Sequence, residues 1–466
     1  MVHTLNAVLV FLIAETFVPI KNNSTEDASS TEAKKTWFIP ACAGLAFALH
    51  PLQVESVAWI TGLRDMLSAT GALTATLLFL RDDGNLKTRV CAWLAFLFAL
   101  LCKPSAVALP AALFVLTWIG GLINWWTALK RLTPWFLVCL PIIYITKSAQ
   151  TEIADRELMQ LNFWQKILVA FDSYGFYLRK WLLPLGLTND YGRKPFVALA
   201  DPWLFGITLA LCALCLGLWR HRQRIGKVTI GWIAFAVLVV APVSGIVTFP
   251  FQHTSTVTDH YLYLSLAALS IALSLTVSKW KTIFAATLSI ALLVFWTVID
   301  VKQLKSWRSD KNLFPAMIAA NPKSYAGLTG MAALAMRDKK SEEALIYIVA
   351  AQKIDPQKVD LLANKGLVLN ELGRYEEVLK ELGAILPSKQ IVIDSPVSAP
   401  SVAVYYMMLA YAKIKLLKID ESLPFLCMAQ WADPSNKDVI GFMPLVLQHL
   451  GRNPADSTVC TPFLKS

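Results

Sequence analysis

The stretch His50-Pro51-Leu52-Gln53-Val54-Glu55-Ser56-Val57-Ala58-Trp59 continues through Thr61-Gly62-Leu63 to Arg64-Asp65. It places a histidine, two carboxylates and an arginine within sixteen residues, between two apolar runs, 37–49 and 66–80. Each run ends near the edge of a bilayer, where charge is costly and usually has a job. A carboxylate at that depth can act as a base, and an arginine can bind a phosphate. The plainer reading is a polar turn that solvates two helix ends. Four ionisable groups flanked by hydrocarbon-grade sequence favour a functional site.

The elements that must position these groups are hydrophobic. Of 466 residues, 56% are hydrophobic and 16% charged, and the mean hydropathy is +0.52. That composition indicates an all-α, polytopic membrane protein. The net charge of +11 reflects basic loops rather than a nucleic-acid partner, and no segment reads as a nucleic-acid fold. Ten segments are expected: 2–20, 37–54, 57–80, 90–102, 106–126, 133–147, 203–219, 228–247, 261–277 and 282–300. Several fall short of the roughly 20 residues of a straight span. Six cysteines in these runs, Cys42, Cys91, Cys102, Cys139, Cys212 and Cys215, read as small buried hydrophobes. Cys427 and Cys460 either pair outside the cytosol or remain free.

Charge sets the orientation. Loops 21–36, 81–89, 127–132, 220–227 and 278–281 hold Lys21, Lys34, Lys35, Arg81, Lys87, Arg89, Lys130, Arg131, Arg220, Arg222, Arg224, Lys227, Lys279 and Lys281. The alternate short loops hold Arg64 and Lys103. The bias puts the first set inside, and 50–65, 148–202, 248–260 and everything after 300 outside, in periplasm, lumen or cell exterior. The sequons around Asn22-Asn23-Ser24-Thr25 then lie on the wrong side for glycosylation. Segment 2–20 lacks a preceding cationic region and is not a secretory signal. Its orientation anticipates a further helix upstream. Within 148–202, Gln165–Trp181 reads as an amphipathic interfacial helix, and the region carries Glu152, Asp155, Glu157, Asp172 and Asp190.

Beyond residue 300 hydrophobicity becomes periodic. Asn321-Pro322 and Asp355-Pro356 stand 34 residues apart, and Leu372-Gly373-Arg374-Tyr375-Glu376-Glu377 marks a helix-to-helix turn. A third copy runs from Val402 to Asp433-Pro434, after an inserted loop at 388–400. This is the tetratricopeptide period, which stacks helix pairs into a protein-binding solenoid. The domains are therefore 1–300, a membrane domain, and 301–466, a repeat domain on the outer face.

Several outer-loop motifs together resemble a known family. They are His50-Pro51 with Glu55-Ser56-Val57-Ala58-Trp59 and Arg64-Asp65-Met66-Leu67; Lys103-Pro104 with Leu109-Pro110; Tyr174 with Tyr177-Leu178 and Pro184; Pro242-Val243-Ser244-Gly245; and Trp307 with Leu313. Asp259-His260-Tyr261-Leu262-Tyr263-Leu264 is similar to that family's D-R-Y-x-Y-L, with His260 in place of the arginine. The chain resembles the polytopic, tetratricopeptide-bearing proteins of the GT-C glycosyltransferase superfamily, which include protein O-mannosyltransferases. The resemblance implies a GT-C-like helical bundle of about ten segments followed by the repeat solenoid. It also implies transfer of a sugar, mannose or one like it, from a polyprenyl-phosphate donor to an acceptor, most naturally a protein, at the outer face of a bacterial inner membrane or of the endoplasmic reticulum. Asp65, Glu55 and His50 would line the catalytic pocket. Arg64, Lys103 and His260 would meet the carrier phosphate, and a divalent ion, Mn or Mg, would sit at Asp65 and Asp259. The family also carries a first helix and an outer acidic loop. Met1-Val2-His3-Thr4-Leu5-Asn6-Ala7 resembles the second family helix, so either an upstream segment supplies that loop or the catalytic base is lost. In the latter case the chain would act as a membrane-anchored repeat scaffold for other proteins. A transporter is disfavoured, because the few intramembrane charges form no relay.

Overall fold

The computed structural model describes residues 1–18, 30–149, 161–387, 389, 398–454 and 458–464. The chain is 78% helix, and no strand occurs among the described residues. Glu152, Asp155, Glu157, the Asn22 sequons and most of the 388–400 insertion lie outside the described residues.

Two compact units form, with a boundary at Arg308/Ser309. The first contains α1 (Val2–Glu15), α2 (Ser30–Ala48), α3 (Val54–Ala58), α4 (Leu63–Leu80), α5 (Leu86–Cys102), α6 (Leu109–Ile119) and α7 (Trp125–Ala149). There follow α8 (Phe163–Leu182), α9 (Pro195–Leu199), α10 (Leu204–Arg220), α11 (Lys227–Val240), α12 (Tyr263–Val277) and α13 (Thr282–Ser306). Each of the ten expected segments falls on one or more of these helices. Among the described residues four stretches are long and apolar enough to cross a membrane: Ile60–Leu80, Trp125–Ala149, Asp259–Val277 and Ile283–Ser306. Trp37–Ala48 and Pro51–Ala58, bent by 50° at their break, are apolar enough together for a broken span or a re-entrant loop. The last helix runs past residue 300, because Asp300 to Lys305 continue it with no breaker.

The bundle is built on small residues. A Cβ added at Gly71 of α4 would lie 2.6 Å from the Ala95 oxygen and 2.9 Å from the Ala99 nitrogen of α5, so only glycine lets the two backbones approach so closely. Ser68 Oγ donates to the Ala99 carbonyl at 3.0 Å across the same seam. On the other side, α1 packs on α2 and α4, and α12 packs on α2 and α11. There Asn6 is fully buried and donates to Met66 O (2.9 Å) and Tyr263 Oη (3.0 Å), and His3 Nδ1 lies 2.8 Å from the same hydroxyl. Of the six cysteines expected to be buried, only Cys139 is; Cys91, Cys212 and Cys215 are exposed, since α5 and α10 turn apolar faces outward.

The second unit is a run of helical hairpins: α14 (Asp310–Ala320), α15 (Tyr325–Arg337), α16 (Ser341–Gln352), α17 (Val359–Glu371), α18 (Tyr375–Gly383), α19 (Ala399–Lys415), α20 (Leu423–Ala432) and α21 (Lys437–His449). Hairpin α15–α16 and hairpin α17–α18 start at 325 and 359, and their second helices at 341 and 375. Buried polar ties join neighbours. Tyr406 Oη donates to Pro387 O at 2.7 Å, and Asn370 Nδ2 donates to Met408 O at 3.1 Å. Cys427 and Cys460 are disulfide-bonded, holding the short α22 (Thr461–Leu464) segment to α20.

Each hairpin turn needs a left-handed residue to end its first helix. Gly373 (φ 73°) fills that position in one hairpin, whereas Lys339 (φ 57°) and Leu417 (φ 61°) fill it in the others. A side chain there costs roughly 1–2 kcal/mol that glycine avoids. Leu417 is also 86% exposed and has little packing to lose. Leu417→Gly will therefore raise the stability of the second unit by about 1 kcal/mol. Urea unfolding of the purified protein followed by circular dichroism reads this as a later midpoint.

Candidate functional site

The 50–65 stretch folds as a chain of tight turns. His50 follows α2 and precedes a 3-10 turn, Pro51–Gln53, whose proline occupies the first helical position. Helix α3 follows, then a second 3-10 turn, Ile60–Gly62, before α4 begins. A Cβ at Gly62 would fall 2.4 Å from the Ser56 carbonyl oxygen, so this glycine permits the turn to double back. The fold puts Arg64 and Asp65 in the first turn of α4, where a carboxylate suits the helix dipole.

Two further segments complete the cluster. Helices α4 and α5 form a hairpin of 18 and 17 residues, so the end of α5 returns beside the start of α4. Lys103 follows α5 and its ammonium donates to Asp65 Oδ1. Asp65 is 5% exposed, and its Oδ2 is buried without a hydrogen-bond partner among the described residues. Burial lowers the proton affinity of Lys103, partly offset by Asp65 beside it. The 3-10 turn Asp259–Leu262 leads into α12 and meets α3. Glu55 Oε2 accepts from the His260 backbone N–H (3.1 Å), and Oε1 lies 2.9 Å from His260 Nδ1. Thr258 Oγ1 is 2.5 Å from the same ring nitrogen.

Tyr261 joins the two pairs. Its ring lies 5.0 Å from Lys103 Nζ, in cation–π range, and 4.5 Å from the His260 ring. Arg64 is exposed and makes no bond among the described residues. Gln53 Oε1 and Nε2 and Ser56 Oγ, on the same stretch, are also buried without partners there.

Asp259 turns the other way. Its Oδ1 accepts from Tyr191 Oη at 2.7 Å. Burial, then that carboxylate, hold the Tyr191 hydroxyl well above its ordinary titration range. Lys180 donates to Leu185 O (2.6 Å) and Gly186 O (2.9 Å) and lies 4.9 Å from the Tyr191 ring. A clamp fixes this wall. Arg193 binds Asp172 through Nε (2.6 Å) and Nη2 (2.5 Å), and Asp201 through Nη2 (2.7 Å). Hydrogen bonding to Asp172 is the largest influence raising the guanidinium's proton affinity, and Arg193 in turn lowers that of Asp201. The expected interfacial helix, α8, supplies Asp172 and Lys180 to this buried wall while exposing Phe163, Trp164 and Leu182.

Of the residues singled out in sequence, Glu55 and His260 meet directly, as do Asp65 and Lys103, and Arg64 adjoins Asp65 in the chain. His50 does not join them. Its Nδ1 accepts from Leu52 N (3.3 Å), so its Nε2 donates to Trp181 O (3.2 Å), and its ring lies 4.7 Å from that of Trp296. Both ring nitrogens are therefore spent on positioning. A metal at Asp65 and Asp259 does not fit the residues present. The two carboxylates take Lys103 and Tyr191, and among the described residues no three His, Cys, Asp or Glu side chains gather to hold an ion. Tyr191 carries no spacing signal that would have named it, whereas Gln53, Ser56 and Tyr261 lie inside the motifs quoted from the sequence but had no role assigned there. Only their neighbourhood to the charged turns could have drawn notice.

No model of a known protein family matches the chain, and no curated protein matches it.

Glu55→Ala will leave the His260 ring and backbone N–H buried and without this carboxylate, lowering stability by on the order of 3 kcal/mol. Arg64→Ala, on an exposed side chain, will cost less than about 0.5 kcal/mol. Thermal unfolding of the two variants in detergent micelles ranks them, and equal melting temperatures would contradict the geometry.

Proposed function

We propose that the chain is a polytopic membrane glycosyltransferase of the tetratricopeptide-bearing GT-C kind, moving a sugar from a polyprenyl-phosphate carrier to a protein hydroxyl on the outer face. The single observation that carries this reading is Asp65: a buried carboxylate in the first turn of α4, one oxygen on Lys103 and the other unpartnered among the described residues. In transfer, the acceptor hydroxyl oxygen attacks the anomeric carbon as the bond from that carbon to the phosphate oxygen breaks. Asp65 Oδ2 takes the hydroxyl proton. The carrier leaves as polyprenyl phosphate beside Arg64 and Lys103, whose charges offset its own. Glu55 holds His260 and so fixes the wall against which the donor lies; His50 fixes the turn.

The same reading has all ten segments crossing or entering the bilayer and the second unit forming a tetratricopeptide array that presents the acceptor. Two observations support the outer placement of the repeats: the fourteen cations of the inner loops enumerated above, and the Cys427–Cys460 disulfide, which belongs in an oxidising compartment. A cysteine introduced by Arg222→Cys, after removal of the exposed Cys91, Cys212 and Cys215, will react with an impermeant maleimide only once cells are opened. Labelling in intact cells would reverse the topology.

A second reading is a membrane-anchored repeat scaffold. It is favoured by the neutralisation of Asp65 by Lys103 and the tie of Glu55 to His260, which leave little free charge for chemistry. Incubating the purified protein with labelled polyprenyl-phosphate mannose and a serine-rich acceptor peptide separates the two. The transferase reading expects wild-type transfer and a loss of about 10²–10⁴-fold in Asp65→Asn with the helical circular dichroism unchanged. Undiminished transfer in Asp65→Asn would remove Asp65 from the site, and no donor binding by the wild type would leave the scaffold.

A further inference from the structure

The opposite end of the α4–α5 hairpin holds a cavity of about 380 Å³. Its walls include Phe79, Trp93, Asp82, Arg89, Lys130 and Arg131, drawn from the end of α4, the turn after it, the start of α5 and the start of α7. Asp82 is buried at its side chain and receives Arg89 Nε (3.0 Å) and Arg131 Nη2 (2.5 Å), both on Oδ2. Arg131 Nη2 also donates to Phe79 O at 3.2 Å, and its guanidinium stacks 4.7 Å from the Phe79 ring.

The charges do not cancel. Three cations face one carboxylate, leaving two positive charges in the lining. Asp82 occupies only one nitrogen of each arginine. The Nη groups of Arg89, Nε and Nη1 of Arg131, and the Lys130 ammonium make no hydrogen bond among the described residues. Those donors, all on residues that line the cavity, are free for an anionic oxygen cluster, which guanidinium groups bind well. The rest of the lining is largely apolar and includes the exposed Leu86 and Trp93. The stacked, exposed pair Trp125 and Trp126 opens α7 shortly before Lys130. Exposed tryptophans at helix ends mark a membrane–water interface. A cavity with cations at the interface and apolar walls fits an amphiphile with a phosphate head.

We propose that this cavity binds the phosphate headgroup of an anionic phospholipid, with its first acyl methylenes against Phe79 and Trp93. The site is independent of the Glu55–Asp65 cluster and of any transfer reaction. Basic pockets between helix ends are suited to such headgroups.

Native mass spectrometry of the full chain in detergent, titrated with phosphatidylglycerol, phosphatidylcholine or inorganic phosphate, tests it. The expected result is at least tenfold tighter binding of phosphatidylglycerol than of phosphatidylcholine, with inorganic phosphate failing to displace it at equal concentration. Lys130→Gln, on an exposed side chain with no described partner, will weaken phosphatidylglycerol binding about threefold. Arg89→Gln with Lys130→Gln will abolish the preference, while Asp82 keeps Arg131 and the melting temperature holds. Equal binding of the two lipids, an unchanged preference in the double variant, or displacement by inorganic phosphate would each overturn the proposal.

Discussion

Everything at the Asp65 end of the α4–α5 hairpin depends on one constraint: a carboxylate removed from water must find a cation or a hydrogen-bond donor. Glu55, Asp65 and Asp259 are each at most 5% exposed, and each has found one. The donors come from different parts of the chain. Lys103 follows α5, His260 precedes α12, and Tyr191 lies in the connection between α8 and α9. Satisfying three carboxylates thus pins four separated segments to one another. Burying an ion pair brings little net stability against an apolar alternative. Its value here is registry, because sliding α4, α5 or α12 along its neighbours would strand at least one of these acids.

The α4–α5 hairpin shows how registry is shared along a helix pair. Asp65 and Lys103 tie its open end, Gly71 admits Ala95 and Ala99 at its middle, and Asp82 with Arg89 ties its closed end. The three fixings lie on one antiparallel seam. In a bilayer, apolar side chains give helices no preferred partner, so close backbone approach and polar ties must choose it. Asn6, shared between Met66 and Tyr263, does the same for the α1, α4 and α12 contact.

Helix placement is legible in the sequence, because long apolar runs broken by basic or proline-containing turns leave few alternatives. The hairpin period of the second unit is legible for the same kind of reason: a 34-residue recurrence of small and apolar positions specifies a repeated pair of helices. Charged residues at the 50–65 turns can be picked out by their cost alone. Their partners cannot. Nothing in the spacing of Glu55 and His260, 205 residues apart, says that they meet. His50, on the same stretch as Glu55, turns instead to Trp181 and Trp296. Tyr191 is hidden because a tyrosine in a polar connection is ordinary until an acid is found behind it. The buried face of helix α8 is hidden in the sequence for a related reason. The helix's aromatic and basic residues suggest a surface helix, yet Asp172 and Lys180 are themselves buried, bound to Arg193 and to the 185–186 carbonyls.

The contrast between the two ends of the α4–α5 hairpin bears on what each can do. At the Asp65 end the buried cation is matched by an acid, and the buried unpartnered atoms described there are mainly acceptors or small polar groups, Asp65 Oδ2, Gln53 and Ser56, with the Arg64 guanidinium, unpaired among the described residues, exposed beside them. At the other end the cations exceed the acids, and the unused atoms are donors on Arg89, Lys130 and Arg131. An end with spare acceptors suits a hydroxyl that must lose a proton. An end with spare donors suits a phosphate that stays charged. Neither the Gly71 seam nor the hydrogen bonds of Asn6 enter into either property. The difference lies in local charge balance: one carboxylate shared by two arginines leaves donors over, whereas one lysine given to one carboxylate leaves an oxygen over.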